Sequence, residues 1–179
     1  MFIFVVMKRL TCILLLLASC GKPSAEIKSY HVDKGDHYCS PREVREVTET
    51  LSFQFFVDES WQYEVETSGI NKVVGISDGT DHMKNSVRLG WMDNNGQLEA
   101  YIYVHNGDKD RHVSEKICNL SYGWHSAEIG IMIDNYYVIV DGICRSVDRN
   151  NKSQVHLMLY PYFGGQCTAP HNINFKFKF

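Results

Sequence analysis

The sequence predicts an all-β protein, a two-sheet antiparallel sandwich, and three observations lead to this prediction. From residue 50 onward, apolar and polar residues alternate in short runs, which is the period of strands with one buried face. Gly, Asn and Asp separate these runs, as expected for tight turns. Beyond the N-terminal segment only residues 41–47 indicate helix, and they indicate a single turn.

The alternation places the strands in chain order. Strands are predicted over residues 51–57, 87–91, 98–104, 127–133, 136–140, 155–159 and 173–179. The turn at 93–96 joins the second and third of these strands into a hairpin, and the turn at 134–135 joins the fourth and fifth. No repeat with a period of about 20–50 residues is evident, which disfavours a solenoid or a propeller.

The composition is that of one globular domain. The 179 residues are 44% hydrophobic, 12% aromatic and 22% charged, which supports one core and excludes a disordered or collagen-like chain. The formal net charge is -3. Nucleic-acid binding proteins carry clustered Lys and Arg, so this charge balance argues against that function.

The N-terminal segment has the pattern of a secretory signal. Lys8 and Arg9 precede the apolar run 10–17, which is too short to span a membrane, since a span needs about 20 residues. The next residues, 17–20 (LASC), resemble the lipobox of bacterial lipoproteins, whose cysteine receives a diacylglycerol and becomes the mature N-terminus. An ordinary signal peptide or a plain hydrophobic anchor is the alternative.

Lipidation at Cys20 divides the chain into three parts: a signal peptide (1–19), a lipidated tether (20–29) and a sandwich domain (30–179). Acyl chains on Cys20 make membrane lipid an expected partner and the cell envelope the expected location. Glycine rather than aspartate follows Cys20, which by the enterobacterial sorting pattern favours the outer membrane.

The predicted domain contains four cysteines: Cys39, Cys118, Cys144 and Cys167. An even number in an exported protein predicts two disulfides, with three pairings open. The C-x-x-C spacing of structural zinc sites is absent, so no metal site is predicted at these cysteines. Buried thiols are the remaining alternative.

Several segments resemble a known group of folds. Residues 124–129 (WHSAEI) followed by 137–142 (YVIVDG) resemble the hairpin of concanavalin A-like lectin/glucanase and laminin-G-type jelly rolls. The segments 75–91 and 159–173 are similar to exported lipoproteins of the Bacteroidetes type that carry this jelly roll. The resemblance covers residues 30–179 and implies a jelly-roll fold in a cell-envelope setting.

Ring side chains alternate on the non-core face of two predicted strands. They are Tyr101, Tyr103 and His105 on one strand and His156, Tyr160 and Tyr162 on the other. A tyrosine ring stacks on the apolar face of a pyranose, while hydroxyl and imidazole groups bond to its edge. If both strands lie in one sheet, these residues predict a glycan-binding groove. Burial of the rings under a loop is the alternative.

A second group of polar residues surrounds the start of the 87–91 strand. Arg88 lies on the non-core side of that strand and suits a carboxylate, either of a ligand or of a neighbouring acidic residue. The loop before it contains candidate binding residues: Asp78, Asp81, His82 and Asn85. Their oxygens could bind Ca²⁺, but the EF-hand spacing is missing and an Asp-Gly turn explains the segment, so no cofactor is predicted.

Two functions of different classes follow. The first is a lectin-like, non-catalytic glycan-binding lipoprotein; a structural envelope protein that contacts other proteins is the plainer alternative.

The second is a polysaccharide lyase, because residues 43–46 (EVRE) and 154–156 (QVH) are similar to motifs of alginate-lyase-type jelly rolls. That resemblance implies a catalytic set comprising Arg45, Gln154, His156 and Tyr160, in which Arg and Gln neutralise a uronate carboxylate while His and Tyr transfer protons. The order and spacing of the motifs depart from that family. A glucanase is disfavoured because no Glu-x-Asp-x-x-Glu strand supplies paired carboxylates.

Overall fold

The computed structural model describes residues 26–64, 69–107, 112–150 and 153–179. The expected signal peptide, Cys20 and most of the expected tether lie outside the described residues. The first described strand begins at Ile27, within the segment expected to be tether. Among the described residues, no helix is long and apolar enough to cross a membrane.

The described chain is built almost entirely from strands. These are β1 (Ile27–Val32), β2 (Cys39–Ser40), β3 (Thr50–Val57), β4 (Asn71–Asp78), β5 (Asn85–Asn94), β6 (Gln97–Asn106), β7 (His112–Asn119), β8 (Gly123–Ile131), β9 (Asn135–Val140), β10 (Ile143–Asp148), β11 (His156–Leu159) and β12 (Ile173–Lys178). A single 3₁₀ turn, Glu59–Trp61, is the one helical element in the described ranges. Residues 41–47 contain no helical turn, contrary to the prediction, because Glu46 instead makes a β-bridge to Leu157.

The strands form two antiparallel sheets, which confirms the predicted sandwich. One is seven-stranded in the order β10-β9-β8-β3-β12-β1-β2, and the other is five-stranded in the order β11-β4-β5-β6-β7. Both predicted hairpins are present as the pairs β5–β6 and β8–β9. Asn95 and Gly96 both have positive φ in the first of these turns, as a tight hairpin turn requires.

Aromatic and branched residues from the facing sides of both sheets fill the core. Phe55 and Phe175 come from the seven-stranded sheet, Trp91 comes from the five-stranded sheet, and Trp61 lies between them with its ring centroid 4.8 Å from that of Trp91. All four rings are almost completely buried. The indole N–H groups of both tryptophans donate to backbone carbonyls, so this burial leaves neither donor unsatisfied.

The four cysteines of the domain form no disulfide with one another in the described part of the chain, so the predicted pair of disulfides is wrong here. Cys39 and Cys144 lie on the two opposite edge strands of the seven-stranded sheet, six strand positions apart. At about 4.8 Å per strand that separation is about 29 Å, far beyond the reach of a disulfide. Cys118 lies on the edge strand β7 of the other sheet, and Cys167 lies in the loop before β12. Burial raises the pKa of the Cys39 thiol to about 11.

Candidate functional site

The candidate site lies on the outer face of the five-stranded sheet, which is the face turned away from the seven-stranded sheet. Along β5, Val87, Leu89 and Trp91 point into the core, so Arg88 points to the outer face. Strand pairing places Arg88 between Gly75 on β4 and Tyr103 on β6. The two strands expected to share one sheet, β6 and β11, do so, with β4 and β5 between them.

A glycine makes room for the Arg88 side chain. A Cβ atom on Gly75 would lie 2.5 Å from Cγ of Arg88 and 2.5 Å from the carbonyl oxygen of Val87. Any larger residue at position 75 would therefore push Arg88 away from the sheet. Leu159 on β11 pairs with Gly75 on its other side, so Arg88 extends over β4 toward the loop that follows β11.

That loop is held in place by backbone hydrogen bonds to β4. The backbone N–H of Lys72 donates to the carbonyl of Tyr162 at 2.8 Å, and the N–H of Tyr162 donates to the carbonyl of Lys72 at 2.9 Å. The N–H of Gly164 donates to Oδ1 of the buried Asn71. Gly164 has a φ of 76° and its Cα faces the carbonyl of Cys167, so only glycine fits there.

The loop, the sheet and the 38–42 segment enclose a cavity of about 500 Å³, named here the outer pocket. This volume is within the range of small-ligand sites. Its polar and aromatic lining comprises Tyr38, Arg42, Lys72, His82, Arg88, Tyr103, His105, Tyr160 and Tyr162. The pocket therefore combines rings with cationic groups, and no Asp or Glu is found among the described residues that line it.

Arg88 is a buried cation in this pocket. The residue is 7% exposed, and its Nε has no hydrogen-bond partner among the described residues. Burial lowers the pKa of the guanidinium to about 10, while Tyr103 and Tyr162 partly offset that effect. Arg88 is therefore charged at neutral pH, and within the described ranges no carboxylate forms an ion pair with it.

Lys72 places a second positive charge in the same pocket. Its Nζ donates to the carbonyl of Ile70 at 2.7 Å and lies 4.3 Å from the ring centre of Tyr103, a cation–π distance. Burial, and after it the charge of Arg88, lower the pKa of Lys72 to about 8. The two cations therefore repel each other, and the described residues provide no acidic group between them.

Rings and imidazoles form the remaining walls of the outer pocket. Tyr162 stacks on His37 at 5.4 Å between ring centres, and the ring of Tyr103 stacks on His112 at 4.9 Å. Burial, followed by the charge of Arg88, lowers the pKa of His105 to about 4, so this imidazole is neutral at pH 7. Its Nδ1 is buried and has no hydrogen-bond partner in the described structure, so its hydrogen-bonding capacity is unused there.

Tyr101 shares the outer face but does not line the outer pocket. Its hydroxyl donates to Glu99, which also accepts a 2.6 Å hydrogen bond from Nζ of Lys116. Burial would raise the pKa of Glu99, but the hydrogen bonds from Lys116 and Tyr101 outweigh it and hold the pKa below its usual value. The only buried glutamate of the described chain is thus already neutralised by its neighbours.

Asp78 belongs to a different polar group, between the two sheets. Nε and Nη2 of Arg149 donate to its carboxylate at 2.7 Å and 3.0 Å, and the Tyr136 hydroxyl donates at 2.7 Å. Nε2 of His156 lies 3.4 Å from the same carboxylate. We call these four residues the Asp78 cluster. Asp78 is 1% exposed and is engaged in holding the sheets together, so it is not available to a loop ligand.

The other residues of the 78–85 loop divide between two places. The Asp81 carboxylate accepts from the backbone N–H of Met83, and the Asp81 carbonyl caps the turn that leads to Asn85. His82 reaches the outer pocket. Within the described ranges, no group of three or more His, Cys, Asp or Glu side chains is placed to hold a metal ion.

The residues proposed for lyase chemistry do not come together. Arg45 is exposed with its guanidinium 5.7 Å from the ring centre of Phe179, and Gln154 lines a separate depression near Arg149. His156 lies in the Asp78 cluster, and only Tyr160 reaches the outer pocket. The strand β11 ends at Leu159, so the alternation that linked His156 to Tyr160 and Tyr162 stops there.

Sequence reasoning did not identify Lys72, Tyr38 or Arg42 as site residues. All residues of β4 are buried, so this strand has no alternating pattern that would assign Lys72 to one face. Tyr38 and Arg42 lie outside the named strands and reach the pocket through contacts distant in sequence. Tyr38 makes a β-bridge to Tyr162 and contacts its ring edge-on, with 5.2 Å between ring centres. The structure pairs Gly75 with Arg88, and a glycine inside a strand often indicates close packing. Because β4 was not predicted as a strand, the sequence did not provide this signal.

No protein-family model matches the sequence, and no curated protein matches it. Solved structures do match the fold. A glycoside hydrolase family 16 endo-glucanase from Bacteroides ovatus aligns with 8% identity and a TM-score of 0.52, covering 88% of this chain and 80% of that one. The laminarinase catalytic domain from Thermotoga maritima aligns with 9% identity and a TM-score of 0.53, covering 83% and 74%.

An alginate lyase from Alteromonas sp. 272 also aligns, with 10% identity and a TM-score of 0.50, covering 85% of this chain and 84% of that one. At these identities the similarity is one of fold. Together with the two antiparallel sheets it confirms the predicted architecture: the chain is a concanavalin A-like jelly-roll sandwich.

Proposed function

We propose that this chain is a cell-envelope lipoprotein whose jelly-roll domain binds glycan in the outer pocket. The observation that carries the proposal is a cavity of about 500 Å³ on one sheet face that Tyr103, Tyr162 and His105 line, with Nδ1 of His105 lacking a hydrogen-bond partner among the described residues. Rings that stack on a sugar face and polar atoms that bond its edge are what glycan recognition needs. The aligned structures, an endo-glucanase, a laminarinase and an alginate lyase, are named for action on polysaccharides, which supports this ligand class.

Affinity electrophoresis tests glycan binding directly. The full chain, purified in mild detergent, is run through gels containing single polysaccharides, both neutral and acidic. We expect at least one polysaccharide to retard the wild-type chain and the variant Tyr162→Ala to lose that retardation. Trp124→Ala removes an exposed ring from the other sheet and is the matched control, so it should bind normally. If no polysaccharide retards the wild type, a structural role in the envelope replaces this proposal.

Anchoring is supported by the resemblance of residues 17–20 to a lipobox. Metabolic labelling of the full chain with an alkyne fatty acid in a bacterial host should attach the label to the wild type but not to Cys20→Ser. Cys12→Ser is the matched control and should keep the label, because Cys12 lies in the proposed signal peptide, which is removed. Equal labelling of Cys20→Ser and the wild type contradicts lipidation at Cys20.

A polysaccharide lyase is the second candidate, and one observation favours it. Arg88, Tyr103 and His105 line one pocket, and these are residue types that can neutralise a uronate carboxylate and move protons. In β-elimination a base removes the proton at C5, a double bond forms between C4 and C5, and the C4–O bond breaks with a proton delivered to the leaving oxygen. Growth of ultraviolet absorbance from the unsaturated product, lost in Tyr103→Phe, would establish it. If no bound polysaccharide yields this product, the lyase candidate is rejected and the chain binds glycan without cleaving it.

A further inference from the structure

The charge of the outer pocket narrows the class of ligand, an inference that rests on the proposed function. The residues that line it include two buried cations, Lys72 at 8% exposure and Arg88 at 7%. A buried charge is costly unless it is paired, and folded proteins normally pair such groups. In the described structure neither cation has an ion-pair partner, so the counter-charge is not supplied by the pocket itself.

Elsewhere the same chain does pair its buried charges. Arg149 is bidentate to Asp78, and Lys116 bonds Glu99. Among the residues that the structure describes, the unpaired state of Arg88 and Lys72 is therefore particular to the outer pocket. Gly75 helps to position the unpaired Arg88. Because Gly75 has no side chain, Arg88 can lie across it on the outer face of the sheet.

The surroundings of the two cations are those of a saccharide site. The Tyr103 and Tyr162 rings lie 4.3 Å and 5.6 Å from Nζ of Lys72, so apolar ring faces border the charge directly. Arg42 at the rim, 4.5 Å from the ring centre of Tyr38, adds a further positive charge. We propose that the outer pocket binds an acidic saccharide, whose carboxylate or sulfate group lies against Arg88 and Lys72.

Matched pairs of polysaccharides test this proposal. Polygalacturonate is compared with its fully methyl-esterified form for a carboxylate, and dextran sulfate with dextran for a sulfate. We expect the full chain to bind at least one acidic member about tenfold or more tightly than its neutral partner. Arg88→Gln and Lys72→Gln should each reduce that binding about tenfold or more, by loss of a charge-assisted hydrogen bond. Arg145→Gln removes an equal charge from an exposed position on β10 and should change binding less than twofold.

The outcomes separate this proposal from the proposed function. Equal binding of acidic and neutral partners, abolished by Tyr162→Ala but not by Arg88→Gln, overturns acidic selectivity and leaves glycan binding intact. Loss of binding in Arg145→Gln as large as in Arg88→Gln also overturns it, since attraction would then come from overall charge. Galacturonate monomer could raise the Tm of the wild type but not of Arg88→Gln, while no polysaccharide is retained. That result supports the anion site and rejects the proposal that the chain binds polysaccharide. If no probe binds or changes the Tm, glycan binding and acidic selectivity are both rejected.

Discussion

Two groups of buried charges in this sandwich are built in opposite ways. In the Asp78 cluster, between the sheets, an arginine, a tyrosine and a histidine surround one carboxylate. In the outer pocket, Arg88 and Lys72 lie about as deeply buried and have no such partner within the described ranges. In the first group Arg149 supplies the counter-charge of the Asp78 carboxylate, so the pair contributes to stability. In the second group no described carboxylate pairs with the buried cations, so their charge lowers stability. Burial alone therefore does not distinguish a structural charge from a binding one, but the presence of a partner does.

The largest expected effect is a loss of folding stability when the Asp78 cluster is broken. Arg149→Met leaves the Asp78 carboxylate buried without its arginine, while the Tyr136 hydroxyl and the His156 imidazole stay beside it. Breaking a buried pair in this way should lower the free energy of unfolding by about 3–5 kcal/mol. Urea unfolding measures it, with Arg145→Met as an exposed control that should change stability by less than about 0.5 kcal/mol. A loss below about 1 kcal/mol would mean that the cluster is not structural.

Gly75→Ala should give the next largest effect. The new Cβ would lie 2.5 Å from both the Arg88 side chain and the Val87 carbonyl, and overpacking of this kind costs about 1–3 kcal/mol. Thermal or urea unfolding of Gly75→Ala, Arg88→Ala and the double variant forms a cycle. In the double variant part of the cost should be recovered, because the contact with Arg88 is removed while that with the Val87 carbonyl remains. Simple additivity would show that Gly75 does not make room for Arg88.

Lys72→Met should raise stability at pH 7 while it weakens binding. The pKa of Lys72 is about 8 in the folded chain and about 10.4 when unfolded, so the folded state disfavours its charge. Below pH 8 both states are protonated and the penalty is fully present; it declines as pH rises from 8 to 10.4. The expected gain is about 1–2 kcal/mol, less than the roughly 3 kcal/mol equivalent of the pKa difference because the bond to Ile70 is lost. A destabilised Lys72→Met would show that Lys72 is a structural residue like Arg149.

The smallest expected effect is a dependence of binding on pH. Affinity for the acidic polysaccharide should fall a few-fold between pH 7 and 9.5, because Lys72 loses its proton in this range. His105, with a pKa near 4, is neutral between pH 5.5 and 7 and should contribute no change of affinity in that range. Isothermal titration calorimetry at fixed ionic strength measures both ranges. If the affinity of Lys72→Gln also decreases between pH 7 and 9.5, the decrease must come from another titrating group.

Alternation in the sequence predicted the strands that have one buried and one outward face, among them β3, β5, β6, β8 and β9. It did not predict β4, which is buried on both faces, nor the edge strands β7 and β10, whose exposed residues carry no apolar period. A period of two residues reports the contrast between faces. It carries no signal where both faces are alike.

The candidate site shows the same limit. Arg88, Tyr103 and His105 were predicted correctly to share one face, because β5 and β6 are regular over their whole length. His156 was assigned to that face although it lies in the Asp78 cluster, because β11 buries His156 and Met158 and leaves Leu157 and Leu159 on the outer side. The partners of a charge are set by contacts distant in sequence, so sequence alone could not show that Asp78 is paired and Arg88 is not.

The early start of β1 has a consequence for how an anchored molecule would search for its ligand. Seven peptide units separate Cys20 from Ile27, and a fully extended chain of that length spans about 25 Å. β1 also borders the chain near Tyr160, a residue of the outer pocket. A lipidated molecule would therefore sample only a thin shell next to its own membrane. Within that shell many copies would face the same polymer, so a long chain could be held by several weak contacts at once.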